Sequence, residues 1–263
     1  HSFWSASRPW LIAVCLLVTA VLLLPATGQL ENSHQVLLKY LPYGLSIIVI
    51  LLGQQFVQGR IAMAAVNLLI GYSIIQLHLQ APLNQDNTRA YFTLLSFYWP
   101  LNFFIIYWLP ERKLISPLGC LLAAVISLQI ASTYIFVHYV PDYAQTLNQY
   151  LALYPFGQDP EDFMANWHLP LASTLTLLII SLVLLTHTLI KRDRSHCVLF
   201  ASMIACTLIC ASFDSNSISS LFSSLIACAL LVTLLFNSHD LAFLDELTGL
   251  PGRRALMNEL KHC

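Results

Sequence analysis

Residues 168–194 read HLPLASTLTLLIISLVLLTHTLIKRDR. An apolar stretch of about twenty residues ends abruptly in Lys191-Arg192-Asp193-Arg194. A helix rises about 1.5 Å per residue, so such a stretch crosses the roughly 30 Å hydrocarbon layer of a bilayer. The same pattern recurs along the chain. It predicts spans at 9–27, 39–57, 61–80, 90–109, 114–139, 168–190, 196–213 and 217–237. The breaks are polar or charged: Glu31 to Gln35, Gly59-Arg60, Pro82 to Arg89, Pro110-Glu111-Arg112-Lys113 and Asp214-Ser215-Asn216-Ser217.

Composition agrees. Only 10% of the 263 residues are charged, and the mean hydropathy is +0.70. A soluble domain carries about 25% charged residues, so these are too few to cover a water-facing surface. Alternating ten-residue segments of the barrel type are absent, and in lipid a helix satisfies its own backbone. The expected class is therefore all-α, a polytopic transmembrane bundle of about eight spans. The net charge of −1 and the lack of a basic stripe give no support for nucleic-acid binding. The seven cysteines are scattered, mostly inside spans, where a thiol behaves as a small hydrophobe; no structural disulfide is expected.

Cationic residues orient the bundle. With eight spans and a cytoplasmic C-terminus, the inside turns carry Arg8, Arg60, Arg112, Lys113, Lys191, Arg192 and Arg194. The outside turns carry Lys39 and Arg89, a bias of seven against two. Trp10, Trp99, Trp108, Tyr139, Tyr143 and Trp167 fall near span ends, where amphipathic rings settle. The expectation is a multi-pass protein of the bacterial cytoplasmic membrane with both termini inside. Residues 8–28 have the order of a signal peptide, but removing them leaves an odd span count, so we expect them to be retained. Leu24 to Gly28 spells a cell-wall sorting pentapeptide, which acts near a C-terminus; here it is coincidence. In the outer loop 140–167, Tyr143, Leu147, Tyr150, Leu151 and Tyr154 recur at helical spacing, as in a short helix on the outer membrane face that serves as an interfacial anchor or, alternatively, as a lid over a ligand cavity.

Beyond the last span the character changes. Residues 240–263 read DLAFLDELTGLPGRRALMNELKHC. Gly249 suits a positive φ after a helix, and Pro251 prevents continuation. A new helix is expected from about Arg253, with Leu256 and Leu260 on one face. Asp245, Leu247, Thr248, Gly249, Leu250, Arg253 and Arg254 match the pattern D-x-L-T-G-L-x-N-R-R at seven of its eight specified positions. The departure is Gly252 in place of Asn, also an acceptable helix N-cap. This resembles the opening motif of the GGDEF family, the diguanylate cyclases. It divides the chain into a membrane sensor domain, 1–237, and a linker with the start of a truncated α/β GGDEF domain, 238–263.

The resemblance implies a membrane input region coupled to synthesis of cyclic di-GMP from two GTP molecules with Mg²⁺. Each 3′-hydroxyl attacks the other nucleotide's α-phosphorus, so two domains must face one another. The family's metal-binding carboxylates and its GG(D/E)EF turn lie further along than this chain reaches, and no Gly-Gly pair occurs in it. No catalytic residue, metal ligand or cofactor is therefore expected within the chain. His1 in place of Met, and Cys263 in mid-pattern, lead us to expect a piece of a longer protein. Two other readings stay open: a degenerate GGDEF protein with an attached phosphodiesterase, or a transporter or structural module with a chance match.

Leu230, Leu234, Asn237, Leu241 and Leu244 follow alternating four- and three-residue spacing. As a heptad seam this predicts a parallel homodimer through the last span and linker, with Asn237 fixing register; the same leucines could equally face lipid and the bundle. Within the spans, polar residues are costly and are candidates for sensing an unknown signal. They are Asn67, His78, Asn102, Gln129 and His138, with Gln76, His187 and Asp214 in addition. His78 and His138 near outer span ends are candidates for a cofactor pair or for interfacial contacts. Cys206 and Cys210, one turn apart, read as core or as a thiol pair within reach of Cys228. Asn67, Asn102 and Gln129 are expected to bond between helices for about 1 kcal/mol each if they do not sense.

Overall fold

The computed structural model describes residues 2–23, 32–80, 86–139, 169, 171–212 and 218–243. The described residues form eight helices: α1 (Ser2–Leu23), α2 (Asn32–Gln55), α3 (Gly59–His78), α4 (Asp86–Trp108), α5 (Pro117–Tyr139), α6 (Leu171–Lys191), α7 (Arg194–Ala211) and α8 (Ile218–Phe243). No strand occurs among them. Seven are long and apolar enough to cross a membrane, from Gln35–Gln55 to Ile218–Leu241. The span expected at 9–27 is represented by the shorter apolar stretch Pro9–Leu23. The motif at 245–254, Leu244, Asp214 and the outer loop 140–167 lie outside the described residues.

Helices α3, α4, α7 and α8 form the centre: α3 packs on α4, α4 on α7, α7 on α8, and α8 back on α3. The others lean on this ring. α1 rests on α7 and α8, α2 on α3 and α8, α5 on α4 and α3, and α6 on α7 and α4. Burial follows: 67% of the apolar window is buried in α4, α7 and α8, against 17% in α5. Outward residues of α5 and α6 are apolar, among them Leu121, Leu128, Ile135, Leu178, Ile179 and Leu182. Buried ones include Asn67, Asn102, Thr188, Ser195 and Ser202. Apolar outside and polar inside is the arrangement a bilayer selects, since only protein partners satisfy a polar group there.

The turns explain why the helices stop. Val57 takes a left-handed φ of 61°, and the Gln58 N–H reaches back to the Gly53 carbonyl at 2.8 Å. This is a Schellman closure of α2 with a β-branched residue where glycine is usual. Arg192 is also left-handed, φ 51°, and Asp193 caps the next helix, so α6 turns into α7 over two residues. At Gly59 the Arg112 carbonyl crosses so close that a Cβ would overlap it. The α4–α5 loop therefore lies directly on the start of α3.

Part of the leucine seam faces the chain's own bundle. Leu230 and Leu234 are fully buried within the chain, and Asn237 hydrogen-bonds Gln58 and Ser195. Spacing by 3.5 marked an apolar face correctly, but α8 turns that face to its own bundle. Among the described residues, Leu241, 59% exposed, is the seam position left outside.

Candidate functional site

The three mid-span amides meet. Asn102 Nδ2 donates to Asn67 Oδ1 at 3.2 Å and to Gln129 Oε1 at 2.9 Å; Gln129 Nε2 returns a bond to Asn102 Oδ1 at 3.1 Å. Asn67 Nδ2 donates to the Trp99 carbonyl at 3.2 Å, and the Trp99 indole N–H donates to the Asn67 carbonyl, also at 3.2 Å. One network thus ties α3, α4 and α5 near the middle of the bundle. Two local features admit it. Pro100, between Trp99 and Asn102, has no N–H to give the Ser96 carbonyl. Gly71 lets the Trp99 ring lie flat against α3, because a Cβ there would fall inside the indole. A shallow cleft enclosing about 30 Å³ runs beside the amides, lined also by Tyr91, Tyr98 and Thr133.

Further along α3 and α5, His78 and His138 converge on one residue rather than on each other. Tyr91 stacks on His78, centroids 4.4 Å apart, and its hydroxyl lies 3.2 Å from His138 Nε2. Tyr134 also contacts the His138 ring at 4.5 Å. These contacts give both imidazoles aromatic partners. Among the described residues no group of three or more His, Cys, Asp or Glu side chains is placed to hold a metal ion. Cys206 and Cys210 are buried in α7, whereas Cys228 is exposed on α8, so the three do not share one buried site.

A second polar network closes the opposite end, where the α2–α3, α4–α5 and α6–α7 turns meet the end of α8. Arg60 lies at its centre, 2.7 Å from Glu111, 3.8 Å from Asp193 and 2.9 Å from His196 Nε2. His196 Nδ1 is 2.8 Å from Asp193. The Arg60 side chain is 11% exposed, so its charge depends on these carboxylates. Burial acts to raise the Asp193 pKa, but the His196 hydrogen bond and charge and the Arg60 guanidinium outweigh it and hold the carboxyl below its ordinary range. Behind this lie Tyr107, His187 and Thr188: the Tyr107 hydroxyl is 2.9 Å from His187 Nδ1 and 2.8 Å from Thr188.

The same end grips α8. Gln58 Nε2 donates to the Leu234 carbonyl at 3.1 Å and to Ser238 Oγ at 2.8 Å. Asn237 Nδ2 donates to Gln58 Oε1 at 3.3 Å and to Ser195 Oγ at 2.9 Å. Arg194 pairs with Asp240 at 2.6 Å and lies 5.5 Å above the Phe236 ring. Sequence reasoning missed Gln58, Glu111, Ser195 and His196. Their turns were recognisable from the charges they carry; their partners, on other helices, were not. Chemically this rim is a clamp: it couples three turns to the last two turns of α8. Comparison of the chain with protein-family models, with curated proteins and with solved structures gave no match.

Proposed function

We propose that the chain is the membrane input and linker region of a GGDEF-type diguanylate cyclase, with α8 as its output helix. The observation that carries this reading is position. The motif from Asp245 to Arg254 begins two residues after α8 ends at Phe243, at the clamped end of the bundle. α8 is continuous over 26 residues, and its last turns are held by Gln58, Ser195 and Arg194. A signal that shifts α3 or α7 is then felt by the helix that enters the motif. The cationic bias of seven residues against two supports a cytoplasmic position for this end. In the complete protein, paired output domains with GTP and Mg²⁺ would form cyclic di-GMP, and the bundle would set their relative placement. Dimer contacts would use faces of α8 left exposed, such as that of Leu241.

Two measurements test it. A fluorescent-protein fusion after Arg254 is expected to fluoresce, and an alkaline phosphatase fusion at the same site to be inactive, as for a cytoplasmic position. Membranes holding the protein read through its complete reading frame are expected to convert GTP to cyclic di-GMP. A periplasmic Arg254, or a reading frame without a GG(D/E)EF turn, would remove the proposal.

A further inference from the structure

We propose that the cleft beside Asn67, Asn102 and Gln129 is a binding site for a neutral membrane amphiphile whose head is a single hydrogen-bond acceptor, such as the carbonyl of a long-chain ketone. Three carboxamides bring six N–H donors. Among the described residues four are used: both of Asn102, one of Asn67 and one of Gln129. One donor each on Asn67 and Gln129 therefore remains for another acceptor. Both residues line the cleft. Gln129 is twelve residues from Pro117, about 18 Å along α5, and thus deep in the hydrocarbon layer. A donor without a partner there is costly, and water is scarce.

The rest of the cleft selects the ligand. Among the described residues none that lines it is charged, so an ionic head would be unpaired at mid-bilayer. Ile74 and Ile130 flank the amides, and Ile130 is 40% exposed on the lipid-facing helix α5. A ligand therefore reaches the donors from the bilayer, with its tail along these side chains. The enclosed space is small, about 30 Å³, so it admits a lone carbonyl oxygen rather than a ring, and the rest of the ligand lies outside along the lipid-facing side chains. The inference deepens the reading of the bundle as an input module, but binding itself does not depend on any output domain.

The test uses the full chain in lipid nanodiscs and a long-chain methyl ketone carrying a diazirine. Photolabelling is expected on peptides around 67–74, 98–102 and 126–133, and an excess of the unlabelled long-chain methyl ketone is expected to compete. The same diazirine chain without the carbonyl is expected not to concentrate there. Gln129→Met, which removes a donor, and Ile130→Trp, which blocks the mouth while keeping the carboxamides, are each expected to lower labelling about tenfold, near 1.4 kcal/mol. Labelling spread evenly over the lipid-facing helices, or unchanged in Ile130→Trp, would overturn the site. Either result leaves the cytoplasmic position of Arg254 unaffected, so the two proposals fail separately.

Discussion

Asn237 donates to Gln58 across the end of the bundle, Nδ2 to Oε1 at 3.3 Å, joining residues 179 apart in sequence. The same nitrogen reaches Ser195, and Gln58 reaches Ser238 and the Leu234 carbonyl, so three helices share one small network. Interhelical hydrogen bonds in membranes average about 0.6 kcal/mol and reach about 1.7. A double-mutant cycle of Gln58→Leu and Asn237→Leu, followed by reversible unfolding in micelles, is expected to return a coupling of about 0.5–1.5 kcal/mol. A value near zero would mean that the clamp does not act as a unit.

Gly71 and Trp99 are matched as space and filler. Gly71→Ala puts a methyl into the indole, and overpacking of this kind costs about 1–3 kcal/mol. Because the overlap is with the pyrrole side of the ring, Trp99→Phe in the same chain is expected to restore part of the loss. The lost Trp99 indole bond to the Asn67 carbonyl keeps the rescue incomplete. Thermal unfolding of the two single variants and the double variant measures this directly.

Helix limits were legible because charge cannot enter hydrocarbon. The span expected at 168–190 stops one residue short of Lys191, where α6 ends, because four charged residues follow Ile190. Asn67, Asn102 and Gln129 were also legible singly, each being a polar residue in an apolar run. That they meet was not, because their separations of 35 and 27 residues carry no facing information until helices pack. The heptad seam shows the same limit from the other side. Leucines at 3.5-residue spacing state that α8 has an apolar face, and nothing in the spacing distinguishes a second copy from α3 and α7.

Val57 holds a left-handed backbone at the end of α2 with its side chain 44% exposed. For an L-residue this conformation costs about 1–2 kcal/mol, and little packing would be lost by removing the side chain. Val57→Gly is expected to stabilise the protein by up to about 1 kcal/mol, after allowing for glycine's larger chain entropy when unfolded. A raised melting temperature in detergent checks it. A lower one would mean that Val57 makes contacts worth more than its strain.

Asp193 makes the rim acid-sensitive with a definite sign. Its folded pKa lies below the ordinary value of 3.8. Its contribution is therefore complete above that value and lost as pH falls through the depressed one. The carboxylate is 45% exposed, so screening limits the pair to the surface scale of about 0–1 kcal/mol. Asp193→Asn is expected to lower the melting temperature slightly at about pH 6, with the difference from wild type closing as pH falls below the ordinary carboxylate range. Arg60 and His196 face Asp193 directly, and Glu111 shares Arg60 with it. An Asp193→Asn deficit that persists undiminished at low pH would place the effect on shape rather than charge.

Any contact between two copies through α8 must avoid the buried part of the leucine seam, Leu230 and Leu234. Leu234 has no accessible surface and its carbonyl is held by Gln58, whereas Leu241 is 59% exposed. Cysteines placed singly at these positions, in a chain with its native cysteines replaced, separate the alternatives. Leu241→Cys is expected to react with a water-soluble maleimide and to form a disulfide dimer in membranes if α8 pairs near its end. Leu234→Cys is expected to do neither while the bundle is folded. Efficient cross-linking at 234 would require α8 to leave its own core, and would return Leu230 and Leu234 to the dimer seam that their spacing first suggested.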